Sequence, residues 1–491
     1  MPDEGVDDEG LFEVEGFRVV PAASESGRVV KTFRAFNPDQ ELLLPPSLDE
    51  WLPADHLARF VADLVDEHVD LSRIHAAYQT SRGGPPYDPR LMVRLLVYGY
   101  TTGVRSSRAI ERACTDIVAF RWLAAGQVPD YRAIARFRRR HLAALGNVFL
   151  QALALCQAAG MVKLGRVALD GTKVRANASK RKAMSYARLT DKEKVLAEEV
   201  SALLAAAEDT DRDEDDRFGK DRRGDELPDE LARRESRLAA LRAAKALLEA
   251  EAKAAAAAKA TARAREKGLG EDAVAEAAAR AGAEAVPAPK AQRNFTDPES
   301  RIMLTGDGSF AQCYNAQAVV DDAHQVIIAT QVSQCAADVN TLIPMVKAAT
   351  VNTGQAPAQV LADAGYCSAA NLDAAADLGA TTGTEFFIAT GRTRHGEPAP
   401  LAPRGRIPAS ATPKQRMARK LTTKRGRAVY ARRKVIVEPV FGQIATLQGK
   451  RFLLRGLDGA QGEWSLIAAC HNLRKLYQVI GVGGLATLQT A

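Results

Sequence analysis

Residues 185–285 consist largely of Ala, Glu, Arg and Lys, with Leu231, Leu238, Leu241 and Leu248 spaced by 7, 3 and 7. A seam with that period specifies paired helices, a coiled coil or a helical hairpin, and excludes a strand. The charged stretch 209–225 and the alanine run 254–258 within it read as exposed or flexible. Any sheet in this chain must therefore be assembled from segments on both sides of a long helical insertion.

Those segments carry strand patterns. Ahead of the insertion, Val167 and Leu169 alternate into Asp170, followed by Gly171, Thr172 and Val174: a strand with a carboxylate in its middle. Beyond it, 312–320 and 325–332 read as a hairpin, about 338–350 as a helix, and 359–362 as a short buried strand running onto Asp363. A helix at 369–378 and a strand at 385–389 come next. A helix at 430–447 carries Glu438, with Pro439 expected to bend it or open a turn, and 462–477 is the last helix. This order predicts an α/β fold around a mixed sheet. Upstream, residues 33–160 read as helical. Pro89 sits in the first turn of a helix with Leu91, Leu95 and Leu96 on one face, and Arg136, Arg138, Arg139 and Arg140 crowd a short helix at 133–141. Short helices with small turns and a basic last member suggest a helix-turn-helix module that presents these arginines to DNA. The expected organisation is a disordered acidic tail (1–32), a helical DNA-binding domain (33–160), a catalytic domain in two pieces (161–184 and 296–480), the insertion (185–295) and a short tail (481–491).

Charge and composition narrow the function. Net charge is only +7, yet residues 401–437 hold twelve Lys and Arg and no acid. Such clustering favours a polyanion, because each neutralised phosphate releases counterions. Lys424, Arg425, Arg427, Arg432, Arg433 and Lys434, with Lys450 and Arg451 beyond, are the expected DNA contacts. No run of about eighteen apolar residues suggests a membrane span, and the acidic start MPDEGVDDEG lacks the order of a secretory signal. The six cysteines form no CxxC pair and are expected to be reduced thiols in a cytoplasm. The histidines are not at zinc-ligand spacing, and there is no GxxxxGK[ST] loop for ATP.

Three carboxylates stand out. Asp170 lies in an apolar strand, where a charge is costly unless a metal or hydrogen bonds compensate it. Asp363 ends a buried strand and is followed by the small-residue exit Ala364, Gly365, Tyr366. Glu438 is the only acid near the basic run, which favours its ionisation. Each taken alone also reads as a structural acid. Together, parallel strands would bring Asp170 and Asp363 to one edge of the sheet, and a helix alongside could supply Glu438. Two divalent cations about 3.5–4 Å apart need several shared carboxylate oxygens, and Mg²⁺ selects oxygen donors.

The blocks VALDGTK (167–173), TDPESR (296–301), YNAQ (314–317), ADAGY (362–366), VEPVFG (437–442) and RFLLRG (451–456), with His471, Asn472 and Leu473, resemble DDE transposases of bacterial insertion sequences. The subgroup resembled has a long helical insertion after the first catalytic strand. FNPDQ (36–40), LPPSL (44–48), YDP (87–89), SSR (106–108) and PDY (129–131) resemble its N-terminal domain. The resemblance implies an RNase H-like core with a five-stranded mixed sheet, and Asp170, Asp363 and Glu438 as catalytic metal ligands. It further implies two Mg²⁺ ions (Mn²⁺ substituting), binding to terminal inverted repeats in double-stranded DNA, strand transfer into target DNA, a homodimer in the active complex, and a cytoplasmic, nucleoid-associated enzyme. Relatives often carry Lys seven residues after the Glu; this chain has Ala445. Other readings of the same triad are a nuclease without strand transfer and a domesticated DNA-binding protein without catalysis.

Overall fold

The computed structural model describes residues 47–78, 85–179, 183–218, 229–391 and 405–488, with the side chains of 203–232 excepted. The acidic tail, the FNPDQ block, Arg404, the end of the charged stretch (219–225) and the Leu231 side chain lie outside the described residues. The helical region comprises α1 (Leu57–Asp63), α2 (Ser72–His75), α3 (Pro89–Thr102), α4 (Ser107–Asp116), α5 (Val118–Leu123), α6 (Tyr131–Arg140) and α7 (Leu142–Ala158). Asp88, Ser106 and Asp130 each accept a hydrogen bond from a first-turn amide, of Arg90, Ala109 and Arg132, which explains where α3, α4 and α6 begin.

The strands are β1 (Val167–Arg175), β2 (Ala183–Ser185), β3 (Gln292–Asn294), β4 (Arg301–Leu304), β5 (Phe310–Asp321), β6 (Ile327–Ser333), β7 (Gln359–Ala362) and β8 (Glu385–Ile388). Between β2 and β3 run α8 (Tyr186–Phe218), α9 (Asp229–Glu266) and α10 (Glu271–Glu284). After them come α11 (Leu342–Thr353), α12 (Ala369–Thr382), α13 (Pro413–Thr422), α14 (Lys424–Gln448) and α15 (Leu457–Ile480).

The main sheet is mixed, as the α/β reading requires. β5 is antiparallel to β1, β4 and β6, while β1, β7 and β8 run parallel. It has six strands where five were expected. The twelve-residue β5 is long enough for one edge to pair β6 along 315–320 and β4 along 310–313. β2 and β3 form a separate antiparallel pair at the root of the insertion. There Leu238, Leu241 and Leu248 of α9 are buried, packing with Leu189 and Val200 of α8. The alanines at 254–258 belong to α9, where Ala254, Ala255 and Ala258 are exposed and Ala256 and Ala257 half-buried.

One continuous buried cluster runs from α1 through α3 and α7 to the main sheet and α15. Asn472 of α15 donates to and accepts from the backbone of Ile327, 2.8 Å in each case, and so stitches the helix onto β6. All six cysteines are free, four of them buried. No single described helix is long and apolar enough to cross a membrane; α6 and α7 satisfy that test only as a pair bent by 72°.

Candidate active site

β1 and β7 are parallel neighbours in the register Val167 to Val360, Ala168 to Leu361 and Leu169 to Ala362. The next residues on the two chains are Asp170 and Asp363, so the register sets the two acids side by side where β7 ends. Asp170 Oδ1 accepts from the Gly171 amide at 2.8 Å, and its Oδ2 accepts from Arg433 Nη1 of α14 at 2.8 Å. Burial pushes the Asp170 carboxyl above its ordinary pKa range; Arg433 and the Gly171 amide pull it back, and Asp363 adds to the rise. Asp363 Oδ1 accepts from the Gly365 amide at 2.8 Å and opens the single 3₁₀ turn Ala364–Tyr366.

Across the opposite side of β1 lies a polar network that sequence reasoning missed. Asp338 Oδ1 accepts from Lys173 Nζ (3.1 Å), Asn315 Nδ2 (2.6 Å) and Gln317 Nε2 (2.8 Å). The buried Tyr366 hydroxyl donates to Gln317 Oε1, and burial pushes its pKa far up, so it stays a donor. Gly171 pairs across the strands with Gln317, and a Cβ on it would overlap the Gln317 amide and crowd Asn315. This is why the strand needs glycine after its acid. The YNAQ block held the signal, since polar Asn315 and Gln317 alternate inside a strand that is otherwise buried.

Glu438 is placed differently. It lies on α14, is exposed, and makes no hydrogen bond or ion pair among the described residues. No cluster of three or more acids, His or Cys able to hold a metal ion exists among the described residues. The structure thus joins Asp170 with Asp363 and does not bring Glu438 into contact with them. Glu438, Gly442 and Ala445 follow at i, i+4 and i+7 on one stripe of α14. Gly442 and Ala445 line a cavity of about 180 Å³ with Thr172 and Val174, which share the Asp170 face of β1. Lys450 and Arg451 line the same cavity as Ala445. α14 is tied to β1 at two points, by Arg433 on Asp170 and by 450–452 on Arg175. At the second, the Arg175 amide donates to Lys450 O and the Phe452 amide to Arg175 O, both at 2.9 Å.

α14 itself begins at Lys424, earlier than the 430 expected, because the Thr423 hydroxyl accepts from the Gly426 amide and caps it. Nor does Pro439 end it. Proline lacks the amide that would reach Val435 O four residues back, and Gln325 Nε2 donates to that carbonyl instead at 3.0 Å.

The arginines expected on DNA divide by environment. Arg138 is buried at 6% exposure and donates to the Tyr100 hydroxyl, Arg105 O and Ser107 Oγ, so it is a structural residue and not a surface contact. The helical phase of α6 turns Arg138 inward with Ile134 and Phe137. Arg433 is engaged by Asp170, Arg432 by Asp322 at 2.7 Å, and Arg425 by Glu385. Arg140 donates to Ala77 O and lies over Tyr78, while Arg451 donates to Ala176 O and Ala178 O at 3.3 Å. Arg136, Arg139, Lys424, Arg427, Lys434 and Lys450 are exposed without such partners among the described residues.

A second buried carboxylate, Glu463 of α15, joins the helical region to this site. Its Oε1 accepts from the Tyr100 hydroxyl (3.1 Å) and Arg105 (3.3 Å), and its Oε2 from the amides of Leu453 (2.8 Å) and Leu454 (2.9 Å). Burial raises its pKa, while the two amides, Arg105 and Arg138 oppose the rise. Gln448 at the end of α14 donates to Tyr100 O, so α3 also grips the helix that bears Glu438.

The donor set suits a hard divalent cation. Two carboxylates lie side by side, and Asp170 bears a desolvation and repulsion load that Arg433 answers only in part.

Comparison with known families bears on the same two regions. Residues 46–140 match the family model described as Transposase domain (DUF772), and residues 287–473 match the one described as Transposase DDE domain. Neither the curated proteins nor the solved structures contain a match.

Proposed function

Since the chain belongs to the DDE transposases, metal-dependent polynucleotidyl transferases that act on DNA, we propose that it binds the terminal inverted repeats of its own insertion sequence and there performs strand cleavage and strand transfer. The observation that carries this reading is the β1–β7 register, which sets Asp170 beside Asp363 under α14.

In this reading Asp170 and Asp363 would hold the divalent cations, two Mg²⁺ ions with Mn²⁺ able to replace them, and Glu438, which forms no metal-holding cluster with them in this structure, would complete the ligand set from α14. When bound, the metal supplies charge for the attacking and leaving oxygens of an in-line displacement. Arg433 favours the ionised form of the Asp170 carboxyl against its burial and orients it. The Asp338 network holds β1 and β5 together and orients Tyr366 behind Asp363. Water attacks phosphorus at the transposon end and the bond to the 3′ oxygen breaks; the freed 3′-hydroxyl then attacks a target phosphate, whose bond to the target's own 3′ oxygen breaks as the new one forms. Exposed Arg136 and Arg139 contact the ends, and Lys424, Arg427, Lys434 and Lys450 hold strands along α14. Lys450, lining one cavity with Ala445, supplies the cation that relatives carry on the helix. The active complex is a homodimer.

The test is incubation of the purified protein with labelled DNA carrying its element's ends, with Mg²⁺ or EDTA, beside Asp363→Ala. Metal-dependent nicking at the ends and joining to target, both lost in the variant while binding persists, is the expected result. Nicking without joining supports the nuclease reading, and binding without nicking in Mg²⁺ or Mn²⁺ supports the non-catalytic one.

A further inference from the structure

A cleft of about 610 Å³ opens at the root of the insertion, between α8, α9 and the β2–β3 pair. Met184, Leu241 and Phe295 give it an apolar floor; Arg188 and Lys192, one turn apart on α8, and Arg237 on α9 give it charged walls. None of the three cations makes an ion pair or hydrogen bond among the described residues. The acids nearby are already engaged. Glu193 takes Arg242 (3.2 Å) and Lys245 (2.8 Å), Glu249 takes the Tyr186 hydroxyl (2.9 Å), and Glu251 takes Arg293 (2.7 Å) together with Arg301. Among the described residues no acid lines the cleft. Asp191, beside Lys192 in the chain, is exposed and unpaired, yet is not among the lining residues.

We infer that this cleft is a seat for DNA backbone, with phosphates on Arg188, Lys192 and Arg237 and the apolar face of deoxyribose on Met184 and Phe295. A helical hairpin needing only stability would pair these cations with acids, as it does one turn further along at Glu193. Instead, three like charges converge on one concave, partly apolar surface, an arrangement that an anion relieves. In the chain, β2 at the wall of the cleft is the next strand after β1, which carries Asp170. This inference rests on the transposase reading and extends it by giving the insertion a role in gripping the substrate.

The test is the salt dependence of binding to a labelled DNA duplex by the full chain and by the triple variant Arg188→Gln, Lys192→Gln, Arg237→Gln. Loss of three phosphate contacts should flatten the slope of log K against log salt by about 2.7, at roughly 0.9 per phosphate. Restoring charge with Arg188→Lys and Arg237→Lys, Lys192 intact, should restore the slope. A control triple on exposed cations elsewhere in the insertion, Lys253→Gln, Lys259→Gln and Arg263→Gln, should leave it unchanged. An unaltered slope in the cleft variant, or an equal loss in the control, overturns the cleft as a specific seat while the transposase reading stands. Failure of the unmodified chain to bind duplex DNA at any salt overturns both.

Discussion

At the scale of single residues, identical side chains in one short run have opposite fates. Arg136, Arg138, Arg139 and Arg140 are consecutive or nearly so, yet only Arg138 is buried, where it donates to Tyr100 beside Glu463. Removing Glu463 strands Arg105 and Arg138 in the interior, so Glu463→Ala should cost about 3–5 kcal/mol of stability in denaturant titration. Glu463→Gln, which keeps an acceptor for the Leu453 and Leu454 amides, should cost clearly less. His471 makes a pH prediction. Burial holds its pKa down at about 4 against an ordinary 6.5, and its Nε2 lies 3.0 Å from Gln325 O. Between those values the unfolded chain binds a proton that the folded one refuses, so this contribution is fully present above pH 6.5 and is lost as pH falls toward 4. The loss is on the order of 3 kcal/mol. Comparing the pH dependence of unfolding in His471→Gln and the parent isolates it: the variant should show a flatter decline, and identical declines would exclude His471 as the cause.

At the scale of elements, α14 decides how the site is built. The helix was expected only from residue 430, but Thr423 caps one that runs through the basic stretch, and Gln325 replaces the hydrogen bond that Pro439 cannot make. Gln325→Ala should therefore destabilise the protein by about 1 kcal/mol. The same change in a Pro439→Ala background, where an amide again reaches Val435 O, should cost measurably less, and a double-mutant cycle reads that coupling directly. The cavity between β1 and α14 supports a second prediction. Lys450→Ala should lower strand cleavage, and adding Ala445→Lys should recover it from the same cavity. Unchanged cleavage in Lys450→Ala would show instead that residue 450 acts only through its backbone contact with Arg175, which alanine retains.

At the scale of the whole molecule, the helical region and the α/β region share one buried cluster, joined by α7 on α15 and by Tyr100 on Glu463 and Gln448. They should unfold together. Hydrogen exchange should show the amides of α3 and β1 opening with the same free energy, while α8–α10, with small separate cores, open at lower cost. Separate opening of α3 would show that the helical region is an independent domain.

The local patterns in the sequence were sufficient for the strand that carries Asp170, the strand that ends at Asp363, the hairpin between them and the helical insertion, because alternation, heptad spacing and caps act over a few residues. Tertiary structure alone decided which arginine faces solvent, that Asp338 gathers Lys173, Asn315 and Gln317, that β5 pairs two strands along one edge, and that Glu438 forms no metal-holding cluster with the aspartates among the described residues. Each of those depends on partners tens to hundreds of residues away, such as Glu463 for Tyr100 and Asp170 for Arg433. Burial and charge compensation are properties of the neighbours a side chain acquires in the folded chain, and no local spacing encodes them.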